Sequence, residues 1–115
     1  MNKGEMRRLK DLAELIVDHR LGQLRKAAEA KAQSEAALDA LARPIPEPEG
    51  LQGASAALAG LAYQRWADAR RAEINQVLAR QTHLWMEARD DAQTAFGRAE
   101  ALRALAERLS RNRPR

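Results

Sequence analysis

From residue 78 to residue 109 the chain alternates apolar positions at three- and four-residue spacing. Leu78, Trp85, Ala92, Ala99 and Ala106 fall on one line of a heptad. Gln81, Ala88, Ala95, Leu102 and Leu109 fall on the other. Nine of these ten positions are apolar, with Arg, Asp, Glu and Gln filling most places between them. That is the pattern of a long helix lying against another helix. Its alanines let two backbones approach closely, so the expected partner is a tightly packed antiparallel helix. Such a seam offers no substrate pocket.

The first part of the chain carries a similar pattern in weaker form. Asn2 and Glu5 have the spacing of a capping box, so a helix is expected to start there. Its apolar positions are Leu9, Leu12 and Ile16, then Leu21, Leu24, Ala28, Ala32, Leu38 and Leu41. The later set is rotated by about one residue, which implies a change of heptad phase. Gly22 lies near that change and softens the helix by about 1 kcal/mol relative to Ala. Arg43-Pro44-Ile45-Pro46-Glu47-Pro48-Glu49-Gly50 stops the helix, since Pro44 disfavours helical geometry at Arg43 and alternating prolines leave no donor ladder.

The expected fold class is therefore all-α, with two long helices in an antiparallel coiled-coil hairpin. Helix one spans about residues 3–43, a proline-rich turn 44–53, and helix two about 55–112, capped at Ser55, all forming a single coiled-coil domain over residues 1–115. At 1.5 Å per residue the helices measure about 55–60 Å and about 85–90 Å, so the second is the longer. Folding back at the turn then leaves about 20 residues of helix two unpaired. Ala99, Leu102, Ala106 and Leu109 lie on that expected overhang, with Gly97 a candidate bend at its start. Exposed apolar surface of this order calls for a partner, a second copy or partial disorder.

Composition supports a thin object. The aromatics are only Tyr63, Trp66, Trp85 and Phe96, and valine and isoleucine are scarce, so neither a thick core nor a sheet is expected. The net charge of +4 equals that of the last eighteen residues, which hold six arginines and two glutamates. A basic tail of this kind meets acidic protein, nucleic acid or anionic lipid, and also complements a helix C-terminus. Cysteine is absent, which excludes disulfides and fits the cytosol. Neither a secretory signal nor an apolar membrane span is expected.

Candidate chemistry is sparse. There is no Gly-rich phosphate loop, no Glu-x-x-His pair and no cysteine nucleophile, so neither an enzyme nor a cofactor is expected. His83 and Glu87 stand four apart, but two ligands are too few for a metal site. Tyr63 and Trp66 fall away from the seam of residues 78–109. With Leu58, Ala62 and Ala69 they form a second stripe, read either as packing near the turn or, with Arg70, as a patch for a partner. The body is charge-balanced, so nucleic acid is not the expected partner, although the C-terminal arginines permit weak nonspecific contact.

Arg7-Arg8-Leu9-Lys10-Asp11-Leu12-Ala13-Glu14, with the following Leu21 and Leu24, resembles the opening of the flagellar export protein FliJ family and its injectisome relatives of the YscO type. Tyr63-Gln64-Arg65-Trp66, Leu84-Trp85 and the run from Arg98 to Arg108 are similar to that family's second helix. The resemblance implies a cytoplasmic coiled-coil stalk of the type III export apparatus, peripheral to the inner membrane. Its partners would be the export ATPase hexamer, the export gate and substrate chaperones. Carried onto this chain, it implies partner contacts at Leu9, Leu12, Leu102, Arg103, Leu105, Arg108 and Leu109. A nucleic-acid-binding hairpin and a generic homodimer remain the alternatives.

Overall fold

The computed structural model describes residues 2–44, 50 and 52–112. Two helices account for nearly all of them: α1, Lys3–Ala42, and α2, Ala54–Arg111. The hairpin is antiparallel and the second helix is the longer. No strand occurs among the described residues. Of the proline-rich turn, residues 45–49 and Leu51 lie outside the described residues, as do Arg113 and Arg115 of the basic tail.

The helix ends follow from local chemistry. Glu5 N–H donates to Asn2 Oδ1 at 2.8 Å, and Met6 N–H donates to the Asn2 carbonyl at 3.1 Å. The reciprocal half of the expected capping box is altered. Glu5 Oε1 accepts from the Asn2 side-chain amide, at 3.3 Å. At the far end α1 stops at Ala42, two residues before Pro44. α2 begins one residue before the expected Ser55 cap. Gly53, at a φ of 63°, takes that place, and its carbonyl accepts from Ala57 N–H at 3.1 Å. Arg108 and Arg111 lie in the last turn of α2, where positive charge offsets the helix dipole.

The chain divides into two compact units. One joins residues 1–28 with 83–115, and the other is residues 29–82. In the first unit Arg20 Nη1 lies 3.5 Å from Asp91 Oδ2, which sets the register of the antiparallel pair. Fourteen residues back from Arg20 is Met6, and fourteen on from Asp91 is Leu105. Met6 is accordingly buried near the very start of α1, together with Ala13, Ala92 and Ala95. The start of α1 thus pairs with residues near 105, not near 90. The expected C-terminal overhang does not exist, because α1 itself covers the seam at Ala99, Leu102 and Ala106. Gly97 is an ordinary exposed position inside one continuous helix.

In the second unit Ser34 Oγ donates to Gln81 Oε1 at 2.6 Å, and Arg71 Nη2 donates to the Leu41 carbonyl at 3.3 Å. Arg71 also holds Asp68, at 2.6 Å. The end of α1 therefore meets α2 close to Arg71, and it is residues 54 to about 69 that run on past α1. Buried positions persist there, with Ala67 at 0% exposure and Tyr63, Ala59 and Ala56 half-buried.

The inward face of α1 differs from the expected one. Met6, Lys10, Ala13, Val17, Arg20, Leu24, Ala27, Lys31, Ser34, Leu38 and Leu41 are its least exposed line, in one unbroken alternation of four and three. No phase change occurs at Gly22. Leu9, Leu12, Ile16, Leu21 and Ala32 are exposed instead. The physical reason lies in α2. Its facing positions in the first unit, Ala88, Ala92, Ala95 and Ala99, are small, so the close approach they permit accepts Ala13 and the stems of Lys10 and Arg20 more readily than a row of leucines.

Candidate partner-binding surface

The structure sorts the proposed contact residues into two groups. Leu102 lies half-buried on the inward line of α2, and Arg103 is ion-paired with Glu100 one turn back. Leu102 is taken up by the fold, whereas the Arg103 side chain stays 54% exposed. Leu9, Leu12, Leu105, Arg108 and Leu109 are exposed, and all belong to the first unit. Leu9 and Leu105 each precede an inward residue, Lys10 and Ala106. In an antiparallel pair such positions flank the seam on the same side, so the fold gathers them into one surface near the chain ends. Leu12 is 53% exposed and Leu109 46%, too much for packing within the hairpin.

Two residues of this surface were not among the expected contacts. Leu15 is 65% exposed and Ile16, expected on the seam, is exposed as well. The signal for Leu15 was its position: it fits neither seam phase, so a large apolar side chain there has no partner within a two-helix hairpin. Around these leucines stand Arg7, Arg8, Asp11, Glu14 and Asp18, all exposed.

The aromatic stripe of the second unit is only partly packed. Tyr63 is half-buried and its ring meets that of Trp66 at 5.6 Å between centroids, tilted by 50°. Trp66 itself is 56% exposed, and Leu58, Ala62 and Ala69 are exposed too, so the second stripe is not buried by helix drift. Arg70 pairs with Glu73 at 3.1 Å and stays half exposed, whereas Arg71 is committed to the end of α1. A groove of about 330 Å³ in this unit is lined by Ser34, Arg70, Glu73, Ile74 and Gln81 among others, with polar and apolar groups mixed.

The remaining candidate chemistry is ordinary surface. His83 Nε2 lies 3.1 Å from Glu87 Oε1, both side chains mostly exposed, and no group of three metal-ligating side chains converges among the described residues. Trp85 lies half-buried on the seam with the Arg89 guanidinium 5.2 Å above its ring. No helix among the described residues is long and apolar enough to cross a membrane. No protein-family model matches the chain, and no curated protein or solved structure is significantly similar to it.

Proposed function

We propose that this chain is a non-enzymatic coiled-coil adaptor of a type III protein export apparatus, in which the end bearing both chain termini engages the export ATPase ring. The observation that carries the reading is the uncovered apolar surface of Leu9, Leu12, Leu105 and Leu109 at that end, flanked by Arg108. Residues of this kind that a fold leaves exposed together mark a contact surface. The resemblance over Arg7–Glu14 and Arg98–Arg108 supplies the choice of machinery. With the overhang gone, the engaging end is two-stranded, built from the start of α1 and the finish of α2. Tyr63, Trp66 and Arg70 form a second surface, suited to a chaperone or the export gate.

The test is capture of the hexameric export ATPase by the immobilised chain. Leu105→Asp with Leu109→Asp is the informative variant, because both side chains are exposed. The expected result is loss of capture with unchanged helicity by circular dichroism. Undiminished capture by the variant, or no capture by the parent chain, rejects the reading.

A further inference from the structure

Charge is nearly balanced over the whole chain, but the antiparallel register separates it. Within the first unit residues 3–10 run alongside about 101–108, so basic stretches from the two ends of the sequence meet. Residues 2–10 and 98–112 together hold eight Lys and Arg against three Glu, whereas residues 11–97 hold ten Lys and Arg against thirteen Asp and Glu. Of the eight cations only Arg103 is ion-paired among the described residues, with Glu100, and all but the half-buried Lys10 are exposed. Elsewhere Arg20, Lys31, Arg70, Arg71 and Arg89 are each held by a carboxylate. The surplus of free cations at this end is a product of the fold, and it removes the charge balance that spoke against a polyanionic partner.

The placing of these groups selects the partner. Arg98, Arg103 and Arg108 stand five residues apart, about 140° per step round the helix axis. Arg98 and Arg108 therefore flank the outer side of α2 on one side, and Arg103 and Arg111 on the other. A flat anionic bilayer reaches one such flank. The major groove of a duplex, about 12 Å wide, admits one helix between two phosphate strands and so reaches both. No aromatic residue occurs in residues 2–44 or 97–112, so nothing there stacks on bases. We propose that this end of the first unit binds duplex nucleic acid through its phosphates, without regard to sequence, with the outer side of α2 over a groove. Arg98 and Arg108 then meet one strand and Arg111 the other, while Arg7 and Arg8 of α1 add to the attraction. Glu107, the one acid of this end with no partner among the described residues, opposes it. The inference rests on charge and register and stands apart from the export reading, whose leucines take no part in it.

Fluorescence anisotropy of two labelled DNA duplexes of unrelated sequence, titrated with the full chain, is the test. The expected result is equal affinity for both, falling roughly a hundredfold from about 50 to about 200 mM salt, as four phosphate contacts require. Arg98→Glu with Arg108→Glu is expected to weaken binding about tenfold or more at unchanged helicity, and Glu107→Gln to tighten it. Arg25→Glu with Arg80→Glu makes the same change of net charge at two exposed arginines away from this end, and is expected to leave binding within about twofold of the parent. No binding at the lower salt, equal losses in the two double variants, or tighter binding to phosphatidylglycerol vesicles than to either duplex overturns the proposal. Capture of the export ATPase is read separately, so the two failures are distinguishable.

Discussion

Two glycines illustrate how much one residue's surroundings decide. Gly97 sits inside α2 with open space where a Cβ would be, so Gly97→Ala removes only backbone freedom and is expected to stabilise the chain by up to about 1 kcal/mol. Gly53 has equally open space but a φ of 63°, and Gly53→Ala is expected to destabilise by about 1 kcal/mol because an L side chain resists that conformation. Thermal unfolding followed by circular dichroism checks both. Sequence alone revealed the Asn2 cap, since a cap depends on side chains three residues apart. It did not reveal Gly53, because Ser55 has the better capping side chain and only the backbone angle favours the glycine. Arg71 was equally hidden. Its role depends on α1 ending beside it, and α1 has no basic residue of its own in its last turn. Arg71→Ala is expected to cost about 1 kcal/mol through the lost bond to the Leu41 carbonyl and the uncompensated helix end, read as a lower unfolding midpoint in urea.

At the scale of the element, α2 was legible and α1 was not. The seam of α2 is nearly all apolar, so its phase is fixed by composition. α1 holds two competing phases, one through Leu9, Leu12 and Ile16 and one through Met6, Ala13 and Val17, and large leucines win any count based on hydrophobicity. The structure selects the phase that continues unbroken to Leu24, Leu38 and Leu41. Gln81, the one polar place on the α2 seam, is explained by Ser34, which occupies the facing line and donates to it. A paired polar position inside an apolar seam fixes register at a cost in stability. Replacing both, Ser34→Ala with Gln81→Leu, is therefore expected to raise the unfolding free energy by about 1 kcal/mol while loosening alignment of the two helices. Denaturant titration with hydrogen exchange over the second unit reads both effects. Ser34→Ala alone is expected to destabilise, since it leaves Gln81 without its donor.

Among the described residues only Met6, Ala13, Ala67, Ile74, Ala92 and Ala95 are buried hydrophobic residues, and four of the six are alanine. So small a buried set leaves stability resting on the length of the helix pair, and it leaves leucines outside. Leu9, Leu12, Leu105 and Leu109 of the expected contact residues are exposed in the folded chain. Helix lengths measured from the turn place an overhang at the end of α2, whereas the start of α1 pairs with residues near 105. It is the start of α2, residues 54 to about 69, that runs on past α1, a consequence of register that no pattern in either helix alone displays. Leu102, a seam position throughout, is half-buried for the same reason.

Register is thus the claim on which the exposed surface and the proposed partner contacts all depend, and the absence of native cysteine makes it directly measurable. With Met6→Cys and Ala106→Cys in one chain, mild oxidation is expected to give a rapid intramolecular disulfide, seen as a faster-migrating monomer without reductant. Met6→Cys with Asp90→Cys is expected to remain reduced. Cross-linking of the second pair in place of the first would contradict the register and return residues near 106 to an unpaired overhang.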